Sequence, residues 1–272
     1  MSRIARAAVL GRPVEHSLSP VLHRAAYAAL GLDWSYEAID CDAGELAAVL
    51  AARADWAGFS CTMPLKHAAL AVADELRPLA KLVGAANTLL PGEAGGWIAE
   101  NTDVAGIATA LAGRPLGQVI VLGAGGSAQA AVVALGQLGA TGCAVLVRDR
   151  SRAGALVATA EAAGVQVSLA ALAADAPELA AADLVVSTLP SGAADRLAQR
   201  DWRPDQALLD VVYDPWPTAL AVAVRAAGGV VLSGALMLLH QAAAQLELMT
   251  GRAAPVEAMR TALRAAAPGC GV

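Results

Sequence analysis

Cysteine occurs only four times, at Cys41, Cys61, Cys143 and Cys270, with no CxxC pair among them. That spacing supplies neither a zinc cluster nor a disulfide framework, and buried, inert thiols are expected in these mostly apolar segments. Histidine is equally sparse: His16, His23, His67 and His240 stand at no metal-ligand spacing, so no metal is expected. Positive charge is in short supply as well, with 19 Lys plus Arg against 24 Asp plus Glu. Without a broad cationic surface to neutralise a phosphate backbone, nucleic acid is excluded as the expected partner. The GxSxG turn of hydrolases and the GxxxxGK(S/T) phosphate loop are absent. The start, MSRIARAAVLGRPVEH, has too short an apolar core for a secretory leader, so a cytoplasmic location is expected.

What the chain has in abundance is apolar residues, 57% of 272. Two stretches, residues 115–147 and 226–245, carry no charge and are long enough to span a bilayer. The first contains Gly123, Gly125, Gly126, Gln118, Gln129 and Gln137; the second contains Gly228, Gly229, Ser233, His240 and Gln241. Such interruptions fit buried pieces of an α/β domain better than a membrane span, and no membrane association is expected. The length suits one large or two medium domains.

Short apolar runs alternate with longer Ala/Leu-rich stretches, the pattern of parallel strands joined by crossover helices, which makes the class α/β. Strands are expected at residues 4–10, 35–39, 56–61 and 87–90. Ser19 before Pro20 reads as a helix cap followed by a first-turn proline, with Gly31 as the stop. Asp42 and Glu45 have capping-box spacing before another helix. From Gln118 the rhythm tightens: strand QVIVL, glycine turn, helix to about residue 138, strand CAVLV, helix from Ser151, then strands DLVVS, QALLDVV and VVL. A helix at residues 234–250 and a shorter one toward Arg264 are expected to return to the first domain. Two domains follow: residues 1–102 completed by C-terminal helices of 235–272, and a Rossmann-like nucleotide-binding domain of 103–234.

Gly123, Gly125 and Ala128 fit GxGxxG/A between a strand and a helix. The first glycine permits the tight turn, the second lets backbone approach a pyrophosphate, and the alanine allows close helix–strand packing. About 20 residues on, where an acidic side chain would meet a free ribose 2′-OH, stand Arg148, Asp149, Arg150, Ser151 and Arg152. The arginines favour the 2′-phosphate of NADP; Asp149 leaves NAD as the alternative cofactor.

Polar residues interrupt apolar segments at Ser17 and Ser19 in GRPVEHSLSP, Thr62 and Lys66 in GFSCTMPLK, Asn87 and Thr88 in GAANTL, and Asn101 to Asp103 in ENTD. In an open α/β sheet such strand ends line the ligand crevice and suit a small polyhydroxy ligand. Hydride transfer between a nicotinamide and a carbinol carbon also requires proton transfer at oxygen, and Lys66 is the candidate general acid or base.

In series, GRPVEHSLSPVLH, GAANTL, ENTD, GAGGSA, DVVYDP and MLLHQ make the chain closely similar to the shikimate dehydrogenase family over nearly its whole length. The resemblance implies reversible, NADPH-dependent reduction of 3-dehydroshikimate to shikimate, a step of aromatic amino acid (chorismate) biosynthesis, by a monomer or homodimer. Ser17 and Ser19 would bind the substrate carboxylate. Thr62, Asn87, Tyr213 and Gln241 would hold the ring and its hydroxyls, and Lys66 and Asp103 would be the catalytic pair. Gly123, Ala124, Gly125, Gly126, Ser127, Arg148, Arg152, Val211 and Gly234 would bind the cofactor. The chain departs from the family pattern at Ser60 and Cys61, at Val104, at Val147 and Asp149, and at Ser187–Leu189. These departures keep open an NAD-dependent quinate/shikimate dehydrogenase; a non-catalytic nucleotide-binding module is the third reading.

Overall fold

The computed structural model describes residues 5–272, which form two compact units. One takes in the described residues up to Gly106 together with Leu238–Ala266; the other comprises Ile107–Met237 and Ala267–Val272.

In the first unit the chain runs through β1 (Ala5–Gly11), α1 (Ser19–Ala29), β2 (Trp34–Asp40), α2 (Leu46–Ala51) and β3 (Gly58–Cys61), then α3 (Lys66–Val72), β4 (Glu75–Leu76), α4 (Pro78–Val83), β5 (Thr88–Pro91) and β6 (Trp97–Glu100), into α5 (Asp103–Leu111). Residue 4, the expected start of β1, lies outside the described residues. The strand order is β2-β1-β3-β5-β6-β4. β1 runs parallel to β2 and β3, but β5 is antiparallel to both β3 and β6, so this sheet is mixed rather than purely parallel. Its core holds Trp56, Phe59 and Trp97, with ring centroids 5.4 and 5.1 Å apart in succession.

Two helix starts show how the local sequence works. The α1 cap differs from expectation: Ser19 is already helical, and the Ser17 hydroxyl accepts the Ser19 N–H at 3.3 Å. A turn closed by Ser17 N–H on the Val14 carbonyl, 3.0 Å, brings Ser17 to that place. The Asp42–Glu45 capping box forms as read, with Asp42 Oδ1 accepting from Glu45 N at 3.1 Å and Glu45 Oε2 from Asp42 N at 3.0 Å.

The second unit contains β7 (Val119–Leu122), α6 (Gly126–Gln137), β8 (Gly142–Val147), α7 (Gly154–Ala162), β9 (Gln166–Ala171), α8 (Pro177–Ala181), β10 (Leu184–Ser187), β11 (Ala207–Asp210), α9 (Ala219–Ala226) and β12 (Val230–Ser233). Its sheet order, β12-β11-β10-β7-β8-β9, is parallel throughout. Read from β9, this is the doubly wound order 3-2-1-4-5-6, whose switch point lies between β7 and β10. The inner strands β7 and β10 are buried Val/Leu-rich runs, as strands covered on both faces require.

The helix α10 (Gly234–Thr250) starts in the second unit and continues into the first, where α11 (Val256–Ala266) packs on α1. Residues 267–272 do not complete the first unit as expected. They turn back to the second, where the Gly269 carbonyl accepts Trp216 Nε1–H at 3.0 Å and the Cys270 carbonyl accepts the Ser233 hydroxyl at 2.5 Å.

Candidate active site

The C-terminal ends of adjacent strands β1 and β3 place Ser17, Ser19, Thr62 and Lys66. At the end of β1, Gly11 lies flush against Thr62, and a Cβ there would overlap the threonine methyl. Thr62 N–H bonds the Leu10 carbonyl at 2.9 Å, and a turn from Thr62 O to Leu65 N, 2.7 Å, brings Lys66 to the first position of α3. Ser17 is half-buried and Ser19 buried at the start of α1.

Asp103 opens α5, where a carboxylate is favoured by the positive end of the helix. Asn101 fixes that start: its Oδ1 accepts Val104 N–H at 3.3 Å while its Nδ2 donates to the Ala85 carbonyl at 2.8 Å. Lys66 Nζ then donates to Asp103 Oδ2 at 2.5 Å, with the two side chains 17% and 5% exposed. The other carboxylate oxygen accepts from Asn87 Nδ2 at 2.9 Å. The same amide nitrogen lies 2.9 Å from Thr102 Oγ1 and 3.1 Å from Gln241 Oε1. Gln241 reaches in from α10, its Nε2 anchored on the Leu238 carbonyl at 3.1 Å. Lys66, Asn87, Asp103 and Gln241, chosen from sequence, thus form one hydrogen-bonded group. Tyr213 is placed in the second unit, half-buried after β11.

Behind this group lies a layer that sequence reading missed. Gln245, one helical turn beyond Gln241 and 1% exposed, donates to the Asn87 carbonyl and to Thr88 Oγ1, both at 3.0 Å. Its Oε1 accepts the Ser60 hydroxyl at 2.7 Å, and Ser60 Oγ lies 2.5 Å from the Tyr36 hydroxyl. The ring of Tyr36 stacks on His23, centroids 4.0 Å apart. Burial pushes the His23 imidazole down to about 3, with Gln245 opposing in part. The i, i+4 spacing of two glutamines on one apolar helix was the available signal.

In the second unit, register aligns the strand ends: Leu122, Ser187, Asp210 and Ser233 are successive partners across β7, β10, β11 and β12. One residue further on stand Gly123, Thr188, Val211 and Gly234. Gly123 has φ +105°, and a Cβ there would meet Thr188 Oγ1 at 2.7 Å. Gly125 precedes the first residue of α6, and a Cβ on it would enter open space. Gly126 and Ser127 begin the helix, and Ala128 is fully buried against the sheet. Gly234 is packed against the Val211 carbonyl so closely that no Cβ fits. Beyond β8, Arg148, Asp149, Arg150 and Arg152 are all exposed. Asp149 Oδ1 accepts from Ser151 N at 2.9 Å and Ser151 Oγ at 2.6 Å, capping a 3-10 turn at Arg150–Ala153. Backbone that an anion can approach, a helix N-terminus and outward arginines are what a dinucleotide bearing a 2′-phosphate requires.

Among the described residues no cluster of three or more His, Cys, Asp or Glu could hold a metal ion. All four cysteines are buried thiols, and burial pushes Cys61 up to about 12. No helix of the described residues is long and apolar enough to cross a membrane.

Residues 9–89 match the family model for the shikimate dehydrogenase substrate binding domain, and residues 234–264 that for the shikimate 5′-dehydrogenase C-terminal domain. A curated relative, the shikimate dehydrogenase (NADP(+)) of Moorella thermoacetica, is 39% identical over 95% of this chain and 92% of its own. The crystal structure of Mycobacterium tuberculosis shikimate dehydrogenase is 48% identical with a TM-score of 0.86, covering 96% of this chain and 99% of that one. The Thermus thermophilus shikimate 5-dehydrogenase, solved with NADP(H) and shikimate, is 36% identical with a TM-score of 0.83 over 96% and 99%. Similarity of this extent, running through both units, shows that the chain belongs to the shikimate dehydrogenase family.

Proposed function

We propose that this chain reduces 3-dehydroshikimate to shikimate, reversibly, with the first unit holding the ring acid and the second holding NADP. The observation that carries this reading is the Lys66–Asp103 pair, its carboxylate buried, with Asn87 donating to the same carboxylate. When bound, NADPH supplies the hydride. Lys66 gives a proton to the ketone oxygen as it becomes a hydroxyl, and takes it back in the reverse direction. Asp103 holds the ammonium in place, and Asn87 fixes the rotamer of Asp103. Thr62, Asn87, Gln241 and Tyr213 hold the ring and its hydroxyls, and Ser17 and Ser19 donate to its carboxylate. Gly123 through Ser127 cradle the pyrophosphate at the start of α6. Arg148 and Arg152 would take the 2′-phosphate, and Val211 and Gly234 would complete the cofactor site.

The deciding experiment is steady-state turnover of shikimate and quinate, each with NADP and with NAD. The reading expects the highest kcat/KM for shikimate with NADP. A preference for quinate with NAD would move the chain to the quinate/shikimate branch, and no turnover with any pair would leave a binding module.

A further inference from the structure

Two backbone groups decide which way the buried amides face. The Thr102 N–H can only donate, and it lies 2.8 Å from Asn87 Oδ1, so the oxygen of that amide faces inward and its NH2 faces Asp103. The Asn87 carbonyl can only accept, and it lies 3.0 Å from Gln245 Nε2, so Gln245 presents its oxygen to Ser60. The hydroxyls then follow. Ser60 donates to Gln245, which leaves Tyr36 to donate to Ser60 across 2.5 Å. Thr88 Oγ1 receives a Gln245 proton at 3.0 Å, and its own single proton goes to Asn87 Oδ1, also at 3.0 Å. Every step from Gln245 to Asp103 has one polarity: Gln245 NH2 to Thr88 hydroxyl, Thr88 hydroxyl to Asn87 oxygen, Asn87 NH2 to Asp103 carboxylate.

We propose that Gln245 is a positioning residue for the catalytic pair, acting through Thr88 to add a second hold, beside the Thr102 N–H, on the Asn87 amide with its NH2 on Asp103. This rests on the assignment of Lys66 and Asp103 above. Gln245, Thr88 and Asn87 are 1%, 0% and 2% exposed, so no water competes for these bonds and an amide turned the wrong way has no substitute partner. A reversed Asn87 would set its oxygen against the Asp103 carboxylate and loosen the carboxylate that holds Lys66. Ser60 donates to the Gln245 oxygen and so holds that amide in the sense the Asn87 carbonyl sets.

Relay and packing roles predict opposite rankings at Thr88. Valine matches threonine in shape but cannot donate; serine keeps the hydroxyl and loses a methyl. Thr88→Val is expected to lower kcat about tenfold, the scale of one unsatisfied buried group, with NADP affinity unchanged. Thr88→Ser is expected to recover most of that kcat, and Gln245→Met to match Thr88→Val. A packing role would leave Thr88→Val active and Thr88→Ser impaired, which overturns the proposal. The Asn87 side-chain NH2 resonances give the same test without turnover, so an inactive wild-type chain would defeat the assigned reaction without touching the relay. Those resonances should shift in Thr88→Val and Gln245→Met but stay near their wild-type positions in Thr88→Ser. Unmoved resonances in Thr88→Val and Gln245→Met overturn the relay on their own.

Discussion

Asp149 and Ser151 are bound to one another: the carboxylate, standing where an acidic residue reads a ribose hydroxyl, instead accepts both the backbone N–H and the hydroxyl of Ser151. Those bonds hold the Asp149 carboxyl below its usual value, so it remains a committed anion at the start of the 3-10 turn. Arg148 and Arg150 beside it take part in no ion pair among the described residues. The expected consequence is that Arg148→Ala weakens NADP by roughly tenfold to a hundredfold, the worth of a charged hydrogen bond, and barely affects NAD. Asp149→Ala should leave NADP binding unchanged or tighter. Isothermal titration of both variants with both cofactors checks this, and damage to NAD binding in Asp149→Ala would return the carboxylate to the ribose.

The glycine turn separates folding from binding. At Gly125 an alanine methyl meets nothing within 4 Å, so Gly125→Ala should keep the wild-type melting temperature while occupying the space a pyrophosphate needs. At Gly234 the methyl would overlap the Val211 carbonyl, so Gly234→Ala should cost about 3 kcal/mol of stability as backbone shifts to admit it. Thermal denaturation with and without NADP distinguishes the two: cofactor protection should vanish in Gly125→Ala with the apo midpoint unmoved.

How far the sequence was legible depended on how local the determinants were. The β7 strand, its glycine turn and α6 were readable because strand, turn chemistry and helix follow within twenty residues and agree. Edge strand β9 was not, because QVSLAA alternates polar and apolar residues over only four positions at a half-exposed sheet edge, ends in alanines and carries no buried apolar run. Lys66, Asn87, Asp103 and Gln241 could be chosen as polar interruptions at element ends. Ser60 and Tyr36 could not, and Gln245 offered only its i, i+4 spacing from Gln241, since Ser60 and Gln245 meet across 185 residues with no motif at either. The return of residues 267–272 to the second unit depends on Trp216 and Ser233 finding two backbone carbonyls, which no composition announces.

Lys66 and the serines should separate kinetically. Lys66→Ala is expected to lower kcat by about 100-fold or more, the usual scale for a general acid–base group, while NADP still binds through the second unit. Ser19→Ala should mainly raise KM for shikimate, because a carboxylate remote from the reacting carbon is held alike in ground and transition states. Ser17→Ala should do the same and also remove the bond to Ser19 N–H that starts α1. Steady-state kinetics on folded variants checks both, and a near-normal kcat in Lys66→Ala would end its assignment.

Stability should carry the signature of a buried neutral histidine. His23 is fully buried and stacked on Tyr36, and desolvation lowers it from 6.5 to about 3. Between those values the unfolded chain binds a proton at this site that the folded chain refuses, so stability is complete above about pH 6.5 and falls as pH drops toward 3. The slope for one such group is ~1.4 kcal/mol per pH unit, so roughly 2 kcal/mol is lost between pH 7 and pH 5. His23→Phe keeps a ring against Tyr36 and removes the titration. Urea denaturation of both proteins at each pH isolates the effect, because all other ionisable groups cancel in the difference. The variant should gain about 2 kcal/mol relative to wild type on going from pH 7 to pH 5. A difference that stays constant across that interval would mean that His23 takes up its proton in the folded chain as readily as in the unfolded one, and that its burial carries no electrostatic cost.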